Sequence, residues 1–259
     1  AVRTSISPQF GKLTEDQVKA IETRDIAGIT VSQLQAMTDL QVAAMSTKQV
    51  QSLGTAILAS LTPVQFARFT AAQLKAMDSR QIGVLTSNQI LQLSASQLQA
   101  IDALDIAAIR ANQLTGLSTT LSNLTSSQLA ALTTAQARAL TTAQLNAMST
   151  SQLQAISTDG IQALGTQLVG SMPATLINSL STKQVAALNS AQLKTLTSST
   201  INDLNANLIK AINGSSLQGL NSVLTAMTST QLASLNPSQW ALLPTSVLAS
   251  FTSNQVANL

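Results

Sequence analysis

The stretch Leu132-Thr133-Thr134-Ala135-Gln136-Ala137-Arg138-Ala139-Leu140-Thr141-Thr142-Ala143-Gln144-Leu145-Asn146-Ala147-Met148 states one pattern twice in succession. Lettering its eight positions a to h from the first Leu puts Leu at a, Thr at b, Gln at e, an apolar residue at f and Ala at h. Thr at b with Gln three residues later is the capping-box signature, in which the hydroxyl accepts from the N3 amide and Gln reaches back to the cap amide. The pattern therefore predicts a new helix every eight residues.

The period extends through the chain in both directions. Apolar a residues run Leu13, Ile21, Ile29, Met37, Met45 and onward in steps of eight to Leu117. Apolar f residues accompany them three places ahead of each following a, as Val18, Ile26, Leu34, Val42 and Val50. Two seven-residue units, 117–123 and 220–226, interrupt the count, and in both the residue is lost before f. The f-to-a spacing of three is thus the invariant part.

A period of eight excludes other regular structures. Eight residues of continuous α-helix turn through about 800°, so an apolar stripe would drift by about 80° per unit, which rules out a coiled coil. On a strand, f and a would face opposite sides. Of the 31 b positions from Thr14 to Thr252, 25 are Ser, Thr, Asp or Asn, and 19 of the matching e positions are Gln; such a bias fits helix starts. Proline agrees, because it is tolerated only there. Pro63 and Pro237 fall at c, Pro173 and Pro244 at b, and Pro8 follows Ser7 near the start.

The expected fold is all-α: a solenoid or superhelix of about thirty short capped helices, one per octad. Each should run from c to a, about two turns, with f and a facing inward. Helices this short are unstable alone and must stack on one another. Residues 1–12 read as the N-terminal edge of the array and 13–259 as one continuous octad solenoid. The number of octads per superhelical turn is not fixed by the sequence. Leu168, Leu176, Leu208 and Val247 stand where Gln is usual and should widen the core or open a contact surface.

Composition limits function. The chain has no Cys, His or Tyr, one Trp and four Phe, so its core is aliphatic and the usual general bases, thiol nucleophiles and zinc ligands are missing. No catalytic, cofactor-binding or metal site is expected, and the chain is expected not to be an enzyme. Asp102 with Asp105, and Glu22 with Asp25, sit at b and e and are expected to be caps with their box partners rather than carboxylate pairs. Glu15 and Asp16 belong to a first helical turn, where negative charge suits the helix dipole. Trp240, at f, and Phe66 with Phe69, at f and a, are expected in the core.

Charge is sparse. Beyond residue 111 only Arg138, Asp159, Lys183, Lys194, Asp203 and Lys210 are charged. A net charge of +3 over 259 residues is no phosphate-binding patch, so nucleic acid is not an expected partner. No window approaches a membrane span. The first residues, Ala1 to Ile6, have no signal-peptide profile and no initiator Met, and are taken as a processed or internal start. Leu259 is an a position, which leads us to expect further chain or a docked copy beyond it.

Units such as Leu13-Thr14-Glu15-Asp16-Gln17-Val18-Lys19-Ala20-Ile21 are similar to the opening of a TAL-effector repeat. The likeness ends after one octad, and both the longer period and the basic charge of that family are missing. Leu132 to Gln136 and Leu140 to Met148 more closely resemble the L-T-T-x-Q-h-x-A-L arrays, h being aliphatic, of very large bacterial surface and secreted proteins, over about Ile6 to Leu259. That resemblance implies a rod, spacer or fibre segment at the cell surface or outside the cell, self-assembling or joined to flanking domains, and carries no activity with it. The alternative expectation is a recognition solenoid that binds a peptide, a glycan or, less readily, nucleic acid along a groove.

Overall fold

The structure, a computed structural model, describes residues 7–257. Ala1 to Ile6 and Leu259, on which the readings of the two ends rest, lie outside the described residues. Among these there are 29 α-helices of four to six residues, four 3-10 segments and no strand. The chain divides into two compact units, Ala1–Ala131 and Leu132–Leu259. Each is an α-solenoid in its own right.

Helices begin where the octad predicts. In Glu15–Ala20 the Thr14 hydroxyl accepts from Gln17 N at 3.2 Å, and Gln17 Oε1 accepts from Thr14 N at 2.8 Å. The same closed box heads Thr47–Gln51, Ala71–Lys75, Thr134–Arg138 and Ser229–Ser234, among others. Pro63 and Pro237 occupy the first turn of their helices, and Pro173 and Pro244 are N-caps.

The helices are shorter than the expected two turns. Position a is not helical: Ile21 (φ −65°, ψ 129°) and Leu61 (φ −65°, ψ 142°) are extended, like the b residue after each. Two extended residues in series make a corner, which lets one chain start a new axis every eight residues. Corner and cap together consume the residues that a second turn would need.

Contacts between helices skip along the chain. Glu15–Ala20 packs on Asp39–Ala44, Ala71–Lys75 on Ala95–Ala100, and in the second unit Thr134–Arg138 on Thr158–Ala163, each three octads on. The f and a side chains fill the interior as expected; Val18, Ile26, Val50, Leu58, Leu85 and Ile90 are fully buried. Phe66 and Phe69 meet edge to face in this core, with centroids 5.5 Å apart. Trp240 is only half-buried and meets Phe251 edge to face at 6.3 Å, so it is less interior than its f position predicts. The d position points outward, and there Leu40, Val64 and Leu104 are exposed.

Close approach between turns makes small residues count. A Cβ on Gly219 would stand 2.2 Å from Ser190 O and 3.1 Å from Leu193 Cβ, both rigid neighbours, whereas one on Gly165 would meet nothing within 4 Å. Gly219→Ala is expected to cost about 1–3 kcal/mol through overpacking. Gly165→Ala meets no neighbour and should cost less, about 0.5–1 kcal/mol, because Ala is a poorer N-cap than Gly. Urea midpoints of the two variants against the parent check this ordering.

Candidate functional surface and the buried glutamine seam

The polar groups of highest consequence are inside. Gln at e is buried in octad after octad, including Gln49, Gln73, Gln89, Gln192 and Gln239. While Oε1 of Gln49 accepts from the Ser46 amide of its own cap at 2.7 Å, Nε2 donates to Val18 O at 2.8 Å and Ile21 O at 2.7 Å, 31 and 28 residues back. Gln73 reaches Val42 O and Met45 O, Gln89 reaches Leu58 O and Leu61 O, and Gln192 reaches Ile161 O and Leu164 O, at the same two separations.

Those acceptors are the f and a carbonyls of the turn beneath. They belong to a helix end and its corner: the f carbonyl accepts one amide, as Val18 O does from Ile21 N at 3.2 Å, and has a second lone pair to offer, whereas the a carbonyl has no intrahelical amide to meet. One side chain thus satisfies an orphan amide at the start of its own helix and, at the end of another, the orphan a carbonyl and the free lone pair of the f carbonyl. Both amide hydrogens and the oxygen are engaged, which is the full donor capacity of glutamine.

The separations also give the winding. A return of 28 residues is about three and a half octads, so each octad sits over the junction of two octads in the turn below. The seven-residue units leave this register intact. Gln128 and Gln231, whose bonds span one such unit, reach back 30 and 27 residues instead of 31 and 28. Unit 117–123 is 3-10 helix over Ser118–Asn123. At about 2.0 Å per residue its six residues advance about as far as eight residues of α-helix. Leu121 and Leu124 are buried, as are Leu224 and Met227 in the second case, so the f-to-a pair survives as expected.

Other side chains also bridge turns. Arg68, in an octad whose Gln65 closes its own capping box, reaches Met37 O at 2.9 Å and pairs with Asp39 through Nε at 2.5 Å. Where Gln is missing, another group takes part of its place. In the octad of Leu208, Asn178 from the turn below accepts from the Asn205 cap amide at 2.8 Å and donates to Asp203 O at 3.0 Å. Leu176, Leu208 and Val247 are buried at e, widening the core as expected. Leu168 is only half-buried.

The paired carboxylates form no boxes, which corrects the expectation for them. Glu22 and Asp102 are N-caps without a side-chain cap bond. Arg24 draws Glu22 away at 2.9 Å and lies 3.9 Å from Asp25, while Asp105 accepts from the Ser79 hydroxyl. Glu15 and Asp16 do lie in a first turn, and Asp16 pairs with Lys19 at 3.3 Å on the open surface. Asp78 is a true cap: the Gln81 amide, at 2.9 Å, is the main cause holding its carboxyl below the usual range, with Arg80 assisting. That bond stabilises above the unfolded-state value, about 3.9, and is lost as pH falls through the lower folded-state value.

Lys75, Gln99, Asp102, Thr125 and Ser127 line one shallow polar depression of the first unit. Among the described residues no three His, Cys, Asp or Glu side chains gather to hold a metal, and no helix is long and apolar enough to cross a membrane.

Short capped helices coiled about an aliphatic core and bridged by buried glutamines define a helical-repeat solenoid. Residues 18–55 and 134–166 match the ALTTAQ repeat, so the chain carries this repeat in each of its two units. The motif itself stands as Ala131-Leu132-Thr133-Thr134-Ala135-Gln136 and again as Ala139 to Gln144. No curated protein matches the chain.

Proposed function

We propose that the chain is a non-enzymatic structural repeat module, a spacer or fibre segment of a bacterial extracellular or surface protein. The observation that carries this reading is the repeated glutamine bridge. The Ser, Thr or Asn at b and the Gln at e are committed to caps and turn-to-turn bonds in both units. The sparse charge of the second unit supports it, and the resemblance to arrays of large surface proteins supplies the setting.

A second reading, a recognition solenoid, draws on the polar depression around Lys75 and Asp102 in the first unit. Circular dichroism, analytical ultracentrifugation and cryo-electron microscopy over a range of concentrations, with parallel glycan, peptide and nucleic-acid binding screens, separate the two. A helical spectrum with monomers or filaments and no saturable ligand is the expected result. Saturable binding abolished by Asp102→Ala would replace it with the second reading, and substrate turnover by pure protein would overturn both.

A further inference from the structure

Asn213 precedes Gly214, the one Asn-Gly pair in the chain. A glycine leaves the next backbone nitrogen unshielded by any Cβ and free to adopt unusual torsions. Gly214 is also the first residue of the helix Gly214–Leu217, so its amide has no partner inside that helix.

We propose that Asn213-Gly214 is a site of spontaneous covalent modification. Gly214 N attacks Asn213 Cγ; the new C–N bond forms, the Cγ–Nδ2 bond breaks, and ammonia leaves with the proton lost by the amide. The product is a five-membered succinimide. Water then adds to one of its two carbonyls, leaving either an aspartyl linkage or an isoaspartyl linkage through the side chain. Water is the only co-reactant.

The surroundings of Asn213 favour this course. Closure requires its ψ to leave the observed 132°, so the cap must open. What holds the cap is Asn213 Oδ1, which accepts from Ser215 N at 3.1 Å and Ser215 Oγ at 2.9 Å. Position e of this octad is Ser216, so no glutamine closes a box on the Asn213 amide or bridges to the turn beneath. The helix has four residues and runs directly into the 3-10 segment Gln218–Leu220. Asn213 itself is exposed.

The chain supplies its own contrast in Asp159-Gly160, which can form the same ring with loss of water. That pair lies within the helix Thr158–Ala163, where Gly160 is buried and its amide donates to Ser157 Oγ at 3.0 Å. The fold exposes one such pair and locks the other. At position 213 the reaction adds a negative charge to a unit with few charges, and the isoaspartyl product inserts a backbone methylene between cap and helix.

The test is to incubate the full chain at mildly alkaline pH and follow it by peptide mapping with mass and isoaspartate detection. Position 213 is expected to gain about one dalton at least about tenfold faster than any other Asn, with isoaspartate there and none at Asp159. Gly214→Ala should slow the gain about tenfold; its Cβ would meet only the movable end of Leu242, at 2.8 Å. Asn213→Ser keeps a capping oxygen and should abolish it. A folded chain unmodified at Asn213 while the urea-unfolded chain converts would overturn the proposal. So would equal rates for Gly214→Ala and the parent.

Discussion

Leu145→Pro is expected to destabilise the second unit more than any other single change considered. Leu145 is fully buried at f, and its amide donates to Thr141 O at 3.1 Å. Proline removes that bond and clashes with the same carbonyl, costing about 3 kcal/mol or more. Loss of the buried Leu adds about 2–5 kcal/mol, which Leu145→Ala measures separately. Thr142→Pro, three residues earlier, should change stability by less than about 1 kcal/mol, because proline is accommodated at a first helical position. Thr141 before it is already extended (φ −110°, ψ 159°), as a residue preceding proline prefers. Urea melts of the three variants decide the matter, and equal damage from the two prolines would sink the octad register.

Gln89→Glu should destabilise the first unit by about 3–5 kcal/mol at neutral pH. Glutamate serves a capping box as well as glutamine does, so local helix chemistry predicts no loss. The loss comes from the other end of the side chain. Nε2 of Gln89 donates to Leu58 O and Leu61 O at 2.8 and 2.9 Å, and a carboxylate there would face two carbonyl oxygens in a fully buried site.

Such a carboxyl has its folded-state value raised, because burial and the carbonyls oppose ionisation. The penalty is therefore complete above that raised value and disappears as pH falls below the unfolded-state value, about 4.3. Gln89→Leu, which imitates the natural Leu176 and Leu208, should cost only about 1–3 kcal/mol and show no such pH dependence. Melts at neutral and acid pH read both effects. If Glu proved as harmless as in an isolated capping box, the bridge between turns would not contribute.

Much of this architecture was legible in the residues. Helix starts, the inward f and a positions, the proline placements and the seven-residue units all follow from local rules, because each is decided within eight residues of chain. The bridge was not legible, because it joins residues 28 and 31 apart and no local rule reaches that far. A trace of it does exist. No e position in the chain is Glu, although a capping box accepts either residue. Four octads with an apolar residue at e, those of Ile57, Leu168, Leu176 and Val247, also begin with Gly54, Gly165, Pro173 and Pro244 in place of Thr or Ser, whereas that of Leu208 keeps a capping Asn205. The box and the bridge are thus lost together.

The carboxylates were misread for a related reason. Whether Asp105 serves a cap or a neighbour depends on Ser79, 26 residues away.

Stacking over junctions also bears on how such a chain changes length. Within a unit most octads offer the same glutamine amide to the turn beneath and the same f and a carbonyls to the turn above. Duplicating or excising one whole octad would hand each later glutamine a new pair of carbonyls equivalent to the old. Loss of a single residue is absorbed only between a and f, where 3-10 winding makes up the rise; between f and the next a it would turn an inward side chain out. The fold therefore sets a grammar for copying errors, in which whole words are freely repeated and letters are dropped only from the first half of a word.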